Sequence, residues 1–392
     1  MQTNRIILHI DMNCFYASCE IAVDETLKGK PVVIAHSDPF QRSIILSPSY
    51  EARKYGIKAT MKIKEAFDLC HDIVVVEPDH KLYEHYSKLF YDYLLKITPL
   101  VEMASIDEAY VDCTYICQGA EVVDLAQKIQ KDIYEMYKLP TSIGIAPNKL
   151  LAKIASDMKK PMGITVLRRR EIDKYMWPLP ISDLLGVGKK TVLKMEELNI
   201  KTIGDLANYQ DLEKLKRVFG QVNALNLYSK ANGIDDSVVN PEEVQSTSVS
   251  NEHTFYLDTF DKTLIKNTIK ALCNTMGYRL QSGNQKAYTI GVKFKYGNMK
   301  MYNRSKALTK PINDEYELFK NCLDIFDDHY EEDLGIRLIG VFANRLVEDS
   351  KTMEQISIFD DFTKIEKEEA INKLLKSVNV TFGKDTVKKG IK

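Results

Sequence analysis

Two acidic sites in the chain each follow an apolar run, and their residue types could bind metal ions. Asp11 ends the stretch Ile6–Ile10, whose apolar and β-branched residues are typical of a buried strand. Asp107 and Glu108 stand side by side beyond a second such run. Adjacent residues on a regular strand point to opposite faces, so both acids can serve one site only where the strand bends. We therefore predict a turn or a bulge at this pair.

The chemistry of these three acids follows from their charge. Carboxylates that converge from two strands repel one another unless cations lie between them, and hard oxygen ligands favour Mg²⁺ or Mn²⁺. Two such ions, held roughly 3.5–4 Å apart, are what phosphoryl transfer requires. A single acid is more often a surface carboxylate or a helix cap. Three at strand ends favour a metal site, with Asp11, Asp107 and Glu108 as catalytic residues.

Composition limits the class of protein. A chain of 392 residues is too long for one ordinary domain. No apolar run approaches the ~20 residues of a membrane span, and the N-terminus passes directly into a strand, so we expect neither a span nor a signal peptide. The seven cysteines form no CxxC pair and are odd in number. They fit packing residues of a cytoplasmic protein better than disulfides or a zinc site.

Charge is unevenly distributed along the chain. The formal net charge of −1 taken alone argues against a nucleic-acid-binding protein. Residues 284–312, however, contain seven basic residues and no acid, interleaved with Tyr288, Phe294, Tyr296 and Tyr302. This pattern predicts strands with one side facing phosphates. The alternative is a solvated strand face with ordinary lysines.

Six segments together resemble the successive motifs of the Y-family (translesion) DNA polymerases. They are His9–Glu20, Ser49–Ile57, Ser105–Tyr110, Ser142–Lys153, Lys159–Ile164 and a helix-hairpin-helix signature at Leu185–Lys190. They occur in the family's order and cover most of residues 5–235, whereas residues 245–347 resemble the family only in length, charge and placement. Within the family, the chain resembles a bacterial subgroup with a C-terminal tail. Asn13 replaces a second acid that many members of that subgroup carry, which leaves the subgroup open.

The resemblance implies an α+β multidomain fold, shaped as the right-hand polymerase. The palm would comprise residues 1–22 and 79–168, the small fingers 23–78, and the helical thumb with its helix-hairpin-helix 169–235. A C-terminal α/β little finger would occupy residues 248–347. The polar stretch 236–247 itself indicates a linker, and the tail 348–392 is expected to be only partly ordered.

The resemblance also implies roles around the nucleotide. Two Mg²⁺ ions, for which Mn²⁺ can substitute, would be held by the three acids and the backbone carbonyl of Met12. Tyr50 and Arg53, one helical turn apart, would bind the triphosphate together with Lys160. Without that context, Tyr50 and Arg53 would fit an ordinary amphipathic helix. Tyr16 would be the steric gate that excludes the 2′-hydroxyl of ribonucleotides, whereas Phe15 is expected in the core.

Further segments would bind DNA and a partner protein. Gly186 and Gly188 allow backbone amides to approach a phosphate beside Lys189 and Lys190, independently of base sequence. On the little finger, Lys293, Lys295 and Arg304 are the predicted DNA contacts. The peptide Gln355–Phe359 resembles those that dock on the sliding clamp, with Gln355 as the polar contact and Ile358 and Phe359 filling an apolar groove. The alternative for this peptide is packing on the little finger.

The expected function is a distributive, template-directed DNA polymerase of low fidelity that acts in damage tolerance. Fingers of about 55 residues would cover little of the nascent base pair, and every segment is assigned, so no proofreading exonuclease is expected. Expected partners are primer-template DNA, dNTPs and the sliding clamp, with no membrane and with the protein as a monomer. Two other classes stay open: a palm-fold nucleotidyl cyclase and a catalytically inactive DNA-binding adaptor.

Overall fold

Strand β1, Ile7–Met12, lies at the centre of a five-stranded sheet in the computed structural model, which describes residues 5–37, 43–117, 119, 121–242 and 245–349. The strand order is β5-β6-β1-β7-β8. The remaining strands of this sheet are β5 Val101–Met103, β6 Glu108–Asp112, β7 Thr141–Ala146 and β8 Ile164–Val166. All six residues of β1 are buried, because helices cover both faces of the sheet.

The two faces of this sheet have different neighbours. Leu8, Ile10 and Met12 pack into one core with three helices, α1 Phe15–Val23, α4 His80–Leu95 and α5 Glu121–Tyr137. Side chains alternate along a strand, so Ile7, His9 and Asp11 point the other way. That second face is covered by α6, Lys149–Asp157, which contributes Leu150 and Leu151 to a separate core. The polar residues of β1 therefore lie beneath α6.

A second, three-stranded sheet follows β1 and α1 in the chain. Its order is β3-β2-β4, with β2 Val32–Ile34, β3 Ser47–Pro48 and β4 Val74–Val76, and the helices α2 Tyr50–Arg53 and α3 Ile63–Leu69 pack around it. The Ser49 hydroxyl accepts the Ala52 amide at 3.2 Å, which caps α2 where Tyr50 begins it. This sheet has its own core, to which α2 contributes Ala52.

Short helices follow β8. They are α7 Ile172–Tyr175, α8 Lys189–Glu197, α9 Ile203–Ala207, α10 Leu212–Phe219 and α11 Gln221–Ala231. Their apolar residues share a core with α6. Gly220 stands between α10 and α11 with a positive φ of 81°, whereas Gly204 lies inside α9.

The predicted linker 236–247 begins too early. The chain forms two compact units, Met1–Glu243 and Val244–Lys392. Val239 is buried in the first unit, and the Asn240 amide donates to Glu102 Oε2 at 2.8 Å. Arg5 donates to the Ser237 carbonyl at 2.7 Å. Because apolar burial and hydrogen bonds hold this stretch, residues up to Asn240 belong to the first unit.

The second unit is a four-stranded sheet with order β11-β10-β12-β9, and two helices pack on one of its faces. Its elements are β9 Ser248–Thr259, α12 Lys262–Ser282, β10 Gln285–Tyr296, β11 Met301–Ile312, α13 Glu315–His329 and β12 Ile336–Glu348. The basic stretch thus forms the hairpin β10–β11. Phe294 and Tyr296 are core residues, so they are not available to stack on bases.

All seven cysteines are buried and unpaired, as predicted for packing residues. Across the described ranges, none of the helices combines the length and the apolar character needed to cross a membrane. The predicted α+β multidomain fold is confirmed. The peptide with Gln355, Ile358 and Phe359 lies outside the described residues.

Candidate active site

The predicted bend is present at the acidic pair. Residues 104–107 form a turn, and β6 begins at Glu108, which lies directly opposite Asp11 in the antiparallel register. The Glu108 carbonyl accepts the Ala104 amide at 2.9 Å, and the Met12 amide donates to the Asp107 carbonyl at 3.0 Å. Asp107 precedes the strand, so its side chain is not bound by the alternation of side chains between the two faces of a strand. It can therefore lie on the same side as Glu108.

One cavity of about 380 Å³ brings the predicted catalytic and nucleotide-binding residues together. Its wall is built by β1, α1, α2, the turn before β6 and the segment that follows α6. The predicted site residues in its lining are Asp11, Met12, Tyr16, Tyr50, Arg53, Asp107, Glu108 and Lys160. The Met12 side chain itself is 1% exposed and belongs to the core, so Met12 can offer only backbone atoms.

Lysine side chains balance two of the three carboxylates. Lys160 Nζ lies 2.7 Å from Asp11 Oδ2 and 2.7 Å from Asp157 Oδ1. Lys153 Nζ donates to Glu108 Oε2 at 2.6 Å. Asp107 Oδ1 instead accepts the Ser105 hydroxyl at 2.5 Å. Nowhere in the described parts of the chain do three or more His, Cys, Asp or Glu side chains form a group placed to hold a metal ion. The predicted ligands share a cavity without forming a closed cluster.

The electrostatics of the pair Asp11 and Glu108 are compatible with a divalent cation. Burial raises the pKa of Asp11 to about 7, which Lys160 offsets only in part. Burial would also raise the pKa of Glu108, but the neighbouring His9 ring, Asp11 and Lys153, which donates to its carboxylate, together hold that pKa well below its usual range. Ionised Asp11 therefore needs more positive charge than Lys160 supplies. A set of carboxylate and carbonyl oxygens is the donor set that Mg²⁺ prefers.

Three residues of this arrangement were not identified from the sequence: His9 and Lys153 beside Glu108, and Ser156 beside His9. His9 shares the face of Asp11 because it lies two residues earlier on the strand, and that spacing alone could have marked it. Burial lowers the pKa of His9, which favours the neutral ring. Lys153 and Ser156 both lie on α6. Lys153 contacts the Glu108 carboxylate, and Ser156 contacts the His9 ring. Their placement depends on how α6 packs on the sheet, for which the sequence carries no local signal.

Asn13 links neighbouring segments of the chain through its side-chain oxygen. Its Oδ1 accepts the Ser142 hydroxyl at 3.0 Å and the Met162 amide at 2.9 Å. The residue is 1% exposed. Since Met162 follows Lys160 closely, Asn13 ties the segment that carries Lys160 to the end of β1.

Aromatic packing fixes the side of the cavity near Tyr16. The Tyr16 ring is stacked on Tyr83, with centroids 4.2 Å apart and planes at 10°. Tyr83 is fully buried, and its hydroxyl donates to Glu20 Oε1 at 2.7 Å. Phe15 is in the core as predicted. Across the cavity, the Arg53 guanidinium lies 5.0 Å from the Tyr50 ring centroid, so the two predicted triphosphate-binding residues are in contact.

The predicted helix-hairpin-helix presents an open helix N-terminus. Gly186 has a φ of 98°, a conformation that favours glycine. Gly188 precedes α8 and has no side chain to cap it, and the position a Cβ would take there meets no atom within 4 Å. Lys189 and Lys190 are exposed. The first backbone amides of α8 and the side chains of Lys189 and Lys190 are thus accessible to solvent at the same helix end.

The basic residues of the second unit do not all lie on one face. Lys293 and Lys295 alternate with the core residues of β10 and point away from the helices. Arg304 pairs with Val292, a core residue, so it lies on the opposite face at the sheet edge. Lys293 also forms an ion pair with Glu252 on β9. The predicted single phosphate-facing set therefore divides, because the strand register places Arg304 on the helix side.

Sequence comparison supplies relatives along the whole chain. Residues 10–157 match the impB/mucB/samB family and residues 246–358 its C-terminal domain, while residues 182–235 match a model described as DNA polymerase-iota, thumb domain. The DNA polymerase IV of Bacillus velezensis is 39% identical over 98% of this chain and 92% of its own length. DNA polymerase IV 1 of Bacillus subtilis is 38% identical over 99% and 93%. A solved Y-family DNA polymerase chimera, Dbh-Dpo4(243-245)-Dbh, aligns with a TM-score of 0.78 at 27% identity, over 87% of this chain and 99% of its own.

Proposed function

This chain belongs to the Y family of DNA polymerases and is a DNA-directed DNA polymerase, and on that premise we propose that it extends primers by two-metal phosphoryl transfer at the cavity around Asp11. One observation carries the proposal. A single cavity combines three carboxylates, the Tyr16 ring and the cations Arg53 and Lys160. Nucleotide addition requires acids that hold metal ions, a side chain that packs against the sugar, and cations that bind the phosphates.

The acids would bind the metal ions, and Lys160 would bind the triphosphate. Asp11, Asp107, Glu108 and the Met12 carbonyl would hold two Mg²⁺ ions, or Mn²⁺ in their place. Bound Mg²⁺ would lower the pKa of the primer 3′-hydroxyl and neutralise the triphosphate and the departing pyrophosphate. In the structure, the Lys160 ammonium forms an ion pair with Asp11. With a nucleotide bound, it would instead pair with the triphosphate, beside Arg53 and Tyr50.

Tyr16 would set sugar selectivity. Its ring lines the cavity and is stacked on Tyr83, which fixes its position. A ribose 2′-hydroxyl would therefore clash with the Tyr16 ring. DNA would be bound without regard to base sequence by the amides after Gly186 and Gly188, by Lys189 and Lys190, and by Lys293, Lys295 and Arg304 of the second unit.

The cellular role is proposed from the family and the small fingers. We propose a low-fidelity, distributive enzyme of translesion synthesis and DNA repair that has no proofreading exonuclease. It would act in the cytoplasm, which the seven unpaired cysteines support, and as a monomer. The peptide with Gln355, Ile358 and Phe359 would recruit it to the sliding clamp.

The two other classes suggested by the sequence lack support. Relatives similar over almost the whole chain are DNA polymerases, and a thumb-domain model matches residues 182–235. A nucleotidyl cyclase has no use for such a thumb. An inactive adaptor would not need the acids at the cavity.

Primer extension with Mg²⁺ tests the proposal. Glu108→Gln and Asp107→Asn should each lose extension while they still bind primer-template, because they remove charge with little change in shape. Glu102→Gln is the matched control: Glu102 is also ion-paired with a lysine of α6, Lys149, at 2.6 Å, but it does not line the cavity. Full activity in the Glu108 or Asp107 variant would disprove the assignment, as would an equal loss in the control.

A further inference from the structure

The buried face of β1 holds an imidazole nitrogen without a hydrogen-bond partner. His9 is fully buried, and its Nδ1 lies 2.8 Å from Ser156 Oγ. Among the described residues, His9 Nε2 is the one nitrogen in a group of three buried side-chain atoms that lack a partner, the others being hydroxyls of Thr141 and Thr165. Such an orphan atom is costly to bury, so its surroundings call for an explanation.

The unpartnered nitrogen faces the catalytic carboxylate. His9 Nε2 lies 3.6 Å from Glu108 Oε2, the oxygen that also accepts Lys153 Nζ at 2.6 Å. On its other side, the ring packs against Tyr110, with centroids 4.8 Å apart. His9 can therefore rotate little, and whichever atom Nε2 presents is directed at Glu108.

The single hydroxyl proton of Ser156 decides what Nε2 presents. If that proton went to the Lys153 carbonyl, 2.8 Å away, Nδ1 would have to carry the ring proton and Nε2 would turn a lone pair toward a carboxylate. If it goes to Nδ1, the ring proton is on Nε2 and points at Glu108. The Lys153 carbonyl loses nothing in that case, because inside α6 it already accepts a helix amide.

We propose that Ser156 fixes His9 in the Nε2–H tautomer and that His9 thereby orients Glu108. His9 is a positioning residue, since it does not line the cavity. Lys153 donates to Oε2, and His9 Nε2 lies 3.6 Å from the same oxygen, so the other carboxylate oxygen is the one left for the cavity. The orienting role rests on the proposed function, in which Glu108 is a metal ligand; the tautomer does not.

The first experiment observes the tautomer directly. Nitrogen NMR of the full chain labelled with ¹⁵N-histidine distinguishes protonated from unprotonated ring nitrogens, and the signal lost in His9→Gln belongs to His9. We expect Nε2–H in the wild type and a shift toward Nδ1–H in Ser156→Ala. An Nδ1–H tautomer in the wild type would overturn the proposal. This measurement needs no activity, so it separates failure of the tautomer from failure of the proposed function.

The second experiment measures the Mg²⁺ concentration that gives half-maximal extension. The amide nitrogen of Gln at position 9 can replace Nε2, whereas that of Asn replaces Nδ1. Residues that orient metal ligands typically change metal affinity about 10-fold to 100-fold when altered. We therefore expect His9→Asn and Ser156→Ala to need at least about tenfold more Mg²⁺, and His9→Gln to need clearly less of an increase.

Thr165→Val is the matched control, because it removes another unpartnered hydroxyl from the same sheet. Its Mg²⁺ requirement should equal that of the wild type. Equal behaviour of His9→Asn and His9→Gln, or lower kcat with an unchanged Mg²⁺ requirement in Ser156→Ala, would contradict an orienting role. Ser156→Ala keeps the experiment decisive if a His9 variant does not fold.

Discussion

The Tyr16 ring is held flat against Tyr83, so the residue proposed as steric gate has a firm support. Tyr16→Ala should lower discrimination between dNTPs and rNTPs by orders of magnitude, because removal of the ring opens space for the 2′-hydroxyl. Single-nucleotide insertion kinetics with both substrates measures this. Tyr83→Phe is the control: it keeps the stacked ring and should cost about 1–3 kcal/mol of stability by leaving buried Glu20 unpaired, with selectivity unchanged. Unchanged selectivity in Tyr16→Ala would make Tyr16 a packing residue.

Asn13 uses one side-chain oxygen for two contacts, and this gives a second prediction for a single residue. Asn13→Ala leaves the Met162 amide and the Ser142 hydroxyl without their acceptor, a cost of about 1–3 kcal/mol for each group if it stays buried. Because Met162 follows Lys160, we expect a higher KM for dNTP and a lower melting temperature. Asn13→Asp keeps both acceptor contacts and should retain a KM near that of the wild type. Similar KM values for Asn13→Ala and the wild type would show that Asn13 does not position Lys160.

At the scale of elements, local sequence predicted some features and strand pairing decided the rest. Asp11 at a strand end and the bend before Glu108 followed from an apolar run and from two adjacent acids. The face occupied by Arg304 did not, because it depends on the β10–β11 register, which shifts between Ala287 and Thr289. A one-residue change in register exchanges the faces of a strand. The contact of Lys153 with Glu108 was hidden for a similar reason, since Lys153 lies on α6, which is distant in the chain.

The N-terminus of α8 allows a test of phosphate binding by backbone amides. Gly188 has a φ of −89°, which Ala can adopt, and the space beside it is open. Gly188→Ala should weaken primer-template binding several-fold by obstructing approach to the amides, at a stability cost of about 1 kcal/mol or less. Gly186→Ala should mainly lower the stability of the fold and have less effect on DNA binding, because a residue with a side chain is strained at a φ of 98°. Fluorescence anisotropy and thermal melts measure the two effects, and unchanged DNA binding in Gly188→Ala would argue against this contact.

For the whole molecule, the net charge of −1 provides no overall attraction to DNA, so the proposed local basic sites would have to provide it. Such binding loses affinity steeply with salt. Attachment to the clamp would raise the effective concentration at the primer end by about 10²–10⁴. Replacing Ile358 and Phe359 together by Ala should therefore leave extension without clamp unchanged and remove stimulation by loaded clamp. Equal stimulation of both proteins would refute the clamp assignment.

The seven buried thiols have a practical consequence for observing how the molecule opens. All seven are buried away from reagents, and burial also raises the pKa of Cys14 to about 11 and that of Cys113 to about 12, which disfavours their reactive thiolate forms. Alkylating reagents will therefore modify the chain chiefly when a region opens. Five cysteines lie in the first unit, and Cys273 and Cys322 lie in the second. Alkylation resolved by peptide mass will report the opening of each unit separately, without any introduced label.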